Sequence, residues 1–135
     1  MRYAVNVPNF AEYADARTAA ALAAEAEAAG WDGFFVWDHM VFDRRLRLPV
    51  ADPWVLLAAV ALVTERLRLG PMVTPLARRR PWKVARETVT LDHLAGGRLI
   101  LGVGWARRPP ASTAPSGSRP VPGSGPPCST RRWRS

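Results

Sequence analysis

The feature that most restricts the fold of this sequence is a regular alternation of apolar and helical segments over residues 1–105. Four short apolar segments predict strands, at 2–7, 33–37, 67–73 and 98–104. Between them, apolar residues at helical spacing predict three helices, at 15–29, 52–66 and 81–94. Alternation with short connections predicts parallel strands with the helices packed outside them. The expected class is therefore α/β, and both a doubly wound sheet and a barrel are consistent with it.

Local signals set the boundaries of these helices. Asp52 followed by Pro53 is a typical helix start, with Asp as the N-cap and Pro at the first helical position. Gly30, Gly96 and Gly97 supply helix ends that need a left-handed backbone. Apolar spacing predicts which residues face inward: Ala19, Leu22, Ala26 and Ala29 in the first helix, Val55, Leu56, Ala59, Val60 and Val63 in the second, and Val84, Leu91 and Leu94 in the third.

Residues 106–135 differ sharply in composition from the rest. They hold six of the 19 basic residues, none of the acidic ones and seven of the 13 prolines. Their only large apolar side chains are Val121 and Trp133, so burial cannot offset the ordering entropy and disorder is expected. Six arginines could bind nucleic acid. The segment has no recognition fold, however, and a shifted reading frame in a GC-rich gene is the simpler explanation.

Several classes of protein are disfavoured by what the sequence lacks. Cys128 is the single cysteine, so an intrachain disulfide is impossible. No run approaches the roughly 18 apolar residues that a membrane span needs, and the N-terminus lacks a secretory signal. A cytoplasmic soluble protein is the expected default. No histidine and cysteine residues have metal-ligand spacing, so no metal is expected.

The residues with chemical potential are Asp38 and His39. They directly follow the apolar segment 33–37, and the carboxyl end of a buried parallel strand is where α/β barrels place reactive groups. An imidazole exchanges protons near neutral pH, and the adjacent carboxylate can orient it or bind a ligand. The alternative is a strand-end histidine whose only partner is a backbone group.

Six motifs are similar to those of the bacterial luciferase-like flavin-dependent oxidoreductases, and they occur in the same order and spacing. They are VWDH at 36–39, DPW at 52–54, TERLRLG at 64–70, RRP at 79–81, ETVTLD at 87–92 and GGRLILGVG at 96–104. The resemblance implies a (β/α)₈ barrel, the TIM barrel, of which residues 1–105 are the N-terminal half with strands one to four and helices one to three. It also implies FMN or the deazaflavin coenzyme F-420 as the cofactor, and hydride transfer or monooxygenation as the reaction.

The resemblance assigns expected roles residue by residue. His39 matches an active-site histidine near the reactive face of the flavin ring, and Asp38 matches an acidic neighbour that often binds the cofactor. Met72 and Val73 fall where the family has a non-proline cis peptide that supports the ring. Thr74 lies beside this peptide, at a position that can bond to the ring or to its side chain.

Two other patterns leave alternatives open. Arginines 78–80 could attract an anionic cofactor tail or substrate, although a solvated charged loop is favoured. Gly102 and Gly104 resemble the start of a dinucleotide-binding fingerprint, but no third glycine opens a helix. This segment is therefore interpreted as the end of a barrel strand.

The resemblance ends at Gly104, and several expectations depend on that end. The family's phosphate-binding residues lie mostly beyond this point, so we expect impaired activity. The alternatives are a non-enzymatic truncated fragment and an interaction module that uses the basic tail. Open strand edges predict a homodimer or aggregation. The expected partner of the enzyme is a small-molecule substrate.

Overall fold

The computed structural model describes residues 1–40 and 45–105, and it contains strands and helices in alternation. The five strands are β1 (Ala4–Val7), β2 (Gly33–Val36), β3 (Arg68–Pro71), β4 (Thr74–Pro75) and β5 (Val103–Gly104). The three helices are α1 (Ala16–Ala28), α2 (Pro53–Val63) and α3 (Pro81–Leu94), and short 3₁₀ turns occupy Ala11–Ala14 and Leu76–Arg78. The predicted α/β alternation and its three helices are confirmed.

The strands pair in parallel, as the alternation predicts. β2 lies between β1 and β3, with Val36 paired to Val7 on one side and to Pro71 on the other. β4 pairs with β5, and a bridge between Leu69 and Leu99 continues the pairing from β3. Each of β1 and β5 has one neighbouring strand among the described residues. Association with a second copy through these two edges stays a prediction.

The third and fourth predicted strands are less regular than the sequence indicated. Within the segment 67–73 the strand β3 ends at Pro71, a cis peptide follows between Met72 and Val73, and pairing resumes beyond the segment in β4. The segment 98–104 makes a single bridge at Leu99 before β5. Pro71 pairs with Val36 of β2 but has no N–H group to donate on its other side, so the ladder towards the segment 98–104 is interrupted there. Apolar composition alone does not show such interruptions.

Side-chain caps define the starts of α1 and α2, and the cap at Asp52 confirms the prediction. The Asp52 carboxylate accepts hydrogen bonds from the N–H groups of Trp54 and Val55, at 2.9 and 3.3 Å. Asp15 caps α1 in the same way, through Arg17 and Thr18. Gly30 follows α1 with a φ of +85°, a left-handed conformation that glycine adopts without steric cost.

The predicted inner face of α2 is partly wrong. Val55 and Val63 are 63% and 48% exposed, whereas Trp54, Leu57 and Ala61 are buried. The predictions for the other two helices are wrong at one residue each, because Ala29 after α1 and Leu94 at the end of α3 are exposed. Because α2 contacts α1, α3, β2 and β3, and nearly every residue in it is apolar, spacing could not identify the buried face.

The core lies between the sheet and the helices. Its largest fully buried side chains belong to β2, α2 and β3 or the residue just before it, and they include Phe34, Leu56, Leu57, Leu67 and Leu69. No helix in the described part of the chain is both long and apolar enough to cross a membrane. The segment 106–135, for which disorder was predicted, lies outside the described residues.

A carboxylate joins α1 to the connection between α2 and β3. Glu27 accepts hydrogen bonds from the backbone N–H groups of Glu65, Arg66 and Leu67, with shortest distances of 2.9, 2.8 and 2.8 Å. Burial alone would raise the pKa of Glu27, but these N–H groups and the Arg66 charge lower it below its ordinary value of 4.5. The ionised form is therefore the one that holds the connection in place.

We expect Glu27→Gln to lower the free energy of unfolding at neutral pH by about 2 kcal/mol, because bonds to a charged acceptor are lost. Since the folded pKa is depressed, this stabilisation is complete above the unfolded pKa and is lost as pH falls through the folded value. Urea unfolding at neutral pH and at about pH 3 should show the difference from wild type shrinking in acid. Glu25→Gln, at an exposed position of the same helix, is the control and should change little.

Candidate active site

The candidate site is the edge of the sheet where the parallel strands end, and we call this edge the rim. Val7, Val36 and Pro71 are the last residues of three adjacent strands and stand in register. The N–H of Met72 donates to the carbonyl of Val36 at 2.8 Å, which ties the chain after β3 to the end of β2. Asp38 and His39 therefore emerge beside the segment that starts at Met72.

Asp38 forms a buried ion pair at the rim. Its carboxylate Oδ2 accepts bonds from Nε and Nη2 of Arg79, at 2.9 and 2.8 Å, and its side chain is 3% exposed. Arg79 also lies 3.8 Å from a carboxylate oxygen of Glu87 and 5.9 Å from the ring centre of Trp54. The Asp38 carbonyl accepts a further bond from Arg78 at 2.7 Å. The expected solvated arginine loop is therefore wrong for Arg79, because a buried carboxylate needs a charged partner.

His39 is an exposed residue at the rim, and the buried side chain of Asn9 bonds to its main chain. Its N–H donates to Oδ1 of Asn9 at 3.0 Å, and its carbonyl accepts from Nδ2 of Asn9 at 2.8 Å. The imidazole centre is 5.9 Å from the ring of Phe10 and 5.5 Å from that of Trp37. The backbone of His39 is thus fixed by Asn9, and its imidazole packs beside two aromatic rings.

The segment after β3 combines exposed apolar side chains with a buried hydroxyl. The Met72–Val73 peptide is cis, as the resemblance implied, and these two residues are 41% and 37% exposed. Thr74 is fully buried, and its Oγ1 has no hydrogen-bond partner among the described residues. Gly104 lies so close to Val73 that an added Cβ would overlap the valine side chain. The segment thus exposes two apolar residues, a suitable surface for a flat heterocycle, and it also contains a buried hydroxyl that lacks a partner among the described residues.

The residues predicted for the site follow two adjacent strands, since Asp38 and His39 come after β2 and the segment 72–74 comes after β3. Sequence reasoning missed two others, Arg79 as the partner of Asp38 and Asn9 as the partner of His39. A signal for the first existed, since a carboxylate next to a buried strand requires a cation and a basic run follows the next strand. Asn9 had a weaker signal, because it is a polar residue just past the end of β1. Within 1–40 and 45–105, no group of three His, Cys, Asp or Glu residues could hold a metal ion.

Comparisons with known proteins identify the family of this chain. The family model described as luciferase-like monooxygenase matches residues 1–117 of the 135. The F420-dependent glucose-6-phosphate dehydrogenase of Beutenbergia cavernae is 48% identical over 82 residues, covering 58% of this chain and 24% of that protein. The 4-hydroxyprotoasukamycin monooxygenase of Streptomyces nodosus subsp. asukaensis is 46% identical over 55 residues, covering 41% of this chain and 15% of that protein.

A solved structure shows the same fold. The oxygenating constituent of 3,6-diketocamphane monooxygenase from Pseudomonas putida, a structure that contains FMN, superposes with a TM-score of 0.68 at 24% identity. The superposition covers 83% of this chain and 32% of that one, so this chain corresponds to about a third of the larger fold. It likewise spans about a quarter or less of the length of the two relatives above. The chain belongs to the luciferase-like monooxygenase family and has the fold of part of that family's TIM barrel.

Proposed function

We propose that this chain supplies part of the active site of an oxidoreductase that uses FMN or the deazaflavin F-420. The observation that supports the proposal is that His39, an exposed residue, follows β2, the strand adjacent to the one that leads into the segment 72–74. The relatives support it, since one is named an F420-dependent dehydrogenase and another a monooxygenase. The reaction class is hydride transfer or monooxygenation of a small-molecule substrate.

The residues of the rim fit such a cofactor. The fully buried Thr74 hydroxyl lacks a partner in the described structure, and a group of this kind destabilises the protein unless a ligand or water satisfies it. We propose that Thr74 bonds to the cofactor and that Met72 and Val73 pack against its ring. The flavin or deazaflavin, when bound, supplies the hydride or oxygen chemistry that side chains cannot.

The two polar residues that follow β2 have different roles in this proposal. Asp38 was predicted to bind the cofactor, but its Oδ2 is bonded to Arg79. We therefore propose that Asp38 contributes chiefly by fixing Arg79 and its loop beside the site. His39 lies at the exposed surface, and we propose that its imidazole carries the proton that accompanies the transfer.

Thr74→Val tests the cofactor contact directly. Fluorescence titration of the purified chain with FMN, and separately with F-420, should give saturable binding of at least one. The variant should then bind that cofactor about tenfold more weakly, because one hydrogen bond is lost. Thr90→Val, at an exposed position of α3, is the control and should bind as wild type does. Absence of binding for both cofactors would contradict the proposal.

His39→Ala tests the proton-transfer role. With the cofactor that binds, and with glucose 6-phosphate as the first substrate, we expect kcat to fall by about 10²- to 10⁴-fold. His93→Ala provides a matched control, because His93 is the other histidine of the chain and is exposed on α3. Equal turnover by wild type and His39→Ala would rule out the proposed role of this imidazole.

A further inference from the structure

A buried asparagine outside the predicted site holds the main chain of His39. Asn9 is fully buried, and its carboxamide makes three hydrogen bonds to backbone groups. Two of them, at 3.0 and 2.8 Å, satisfy the N–H and the carbonyl of His39. The third runs from Nδ2 to the carbonyl of Ala51 at 2.7 Å. The side chain thus acts on the backbone of two residues that are distant in sequence.

The same asparagine joins the two ends of the connection between β2 and α2. His39 stands where this connection begins, and Ala51 stands just before the N-cap of α2. The Ala51 N–H donates to the Asn9 carbonyl at 2.8 Å, and Phe10 and Val50 form an antiparallel bridge beside it. Because Asn9 follows β1, the residues after the first strand fix both ends of the connection to the sheet.

We propose that Asn9 is a positioning residue that sets the place of the His39 imidazole at the rim. The hydrogen bonds of Asn9 tie the backbone of His39 to the end of β1. The neighbouring rings of Phe10 and Trp37 then limit where the imidazole can turn. The effect on turnover rests on the proposed function, whereas the effect on the position of His39 does not.

We expect the loss of the Asn9 carboxamide to displace His39 while the residues proposed to bind the cofactor stay in place. A displacement of about 1 Å in a reacting group can lower a rate by about 100-fold. In a chain that binds the cofactor, Asn9→Ala should therefore lower kcat by about that factor and leave KM nearly unchanged. A residue that only stabilised the fold would not produce this split at a temperature where the variant stays folded.

Proton NMR of the full chain tests the inference without any cofactor. The sequence has two histidines, so the ring signals of His39 can be read against those of exposed His93 as an internal reference. In wild type, the rings of Phe10 and Trp37 should shift the His39 signals away from the positions of a solvated histidine. In Asn9→Ala they should move towards those positions, and His93 should not change.

Two controls separate positioning from general destabilisation. Thr64→Val removes a buried hydroxyl that bonds to the Val60 carbonyl at 2.8 Å, at the opposite end of the sheet, and should leave the His39 signals in place. Asn9→Asp keeps the shape and the acceptor for the His39 N–H but loses both donated bonds. It should displace His39 as the alanine variant does.

A measurement on wild type covers the case in which both variants at position 9 fail to fold. The backbone amide of His39 should be protected from hydrogen exchange, because it donates a hydrogen bond to the buried Oδ1 of Asn9. Unchanged His39 signals in a folded Asn9→Ala chain, or rapid exchange of this amide in wild type, would overturn the inference. If the signals are displaced in the variant but the chain binds neither FMN nor F-420, the displacement supports this inference. The absence of binding then contradicts only the proposed function.

Discussion

Asp38→Asn should lower the free energy of unfolding by about 3 kcal/mol, measured from urea unfolding at neutral pH. The asparagine keeps the shape of the side chain but removes the carboxylate that Arg79 contacts at 2.8 and 2.9 Å, so the more distant Glu87, at 3.8 Å, is the charged partner that remains. Because the carboxylate is 3% exposed and the guanidinium 18% exposed, solvent screens this pair only weakly. A loss of this size is a large fraction of the 5–15 kcal/mol that stabilises a typical domain.

The double variant Asp38→Asn/Arg79→Met gives the sharper test. It removes both charges, so it should be more stable than Asp38→Asn alone and the two effects should not add. Lys83→Met breaks the exposed Lys83–Glu87 pair, in which the lysine side chain is 66% exposed, and should cost less than about 1 kcal/mol. Similar losses for the exposed and the buried pair would show that Asp38 and Arg79 are not coupled as the structure indicates.

Gly70→Ala should destabilise the protein by about 3 kcal/mol, because a Cβ at this position would overlap the backbone of Ile100. The strand β3 and the segment 98–100 cannot move apart easily, because backbone hydrogen bonds join them. The Leu69 N–H donates to the Arg98 carbonyl at 3.2 Å, and the Ile100 N–H donates to the Leu69 carbonyl at 2.8 Å. Since Gly70 precedes the segment 72–74, the variant should also weaken any cofactor binding at the rim.

Gly96→Ala is the matched control for this substitution. Gly96 has a φ of +61° and no atom within 4 Å of an added Cβ, so only the left-handed backbone opposes the change. The expected cost is about 1 kcal/mol. Thermal or urea unfolding should rank the two variants in this order, and a Gly70→Ala protein as stable as Gly96→Ala would show that β3 does not approach Ile100 so closely.

Much of the fold could be predicted because its signals are local. Asp52 with Pro53 marked the start of α2, and the glycine at position 30 marked the end of α1, through bonds and torsions within one helical turn. Alternation of the segments was enough to predict parallel strands. The inner face of α2 could not be predicted in this way, because the helix is apolar on almost every side, including the side that is exposed.

The candidate site likewise has features that local sequence signals predict and features that depend on contacts distant in sequence. The sequence by itself determined that Asp38 and His39 follow a buried strand, because the apolar segment ends at Trp37 and polar residues begin. The tertiary structure alone decided that Arg79 neutralises Asp38 and that Asn9 holds His39. These partners are separated by 41 and 30 residues along the chain, and they meet only because parallel strands bring the residues after them to one edge of the sheet.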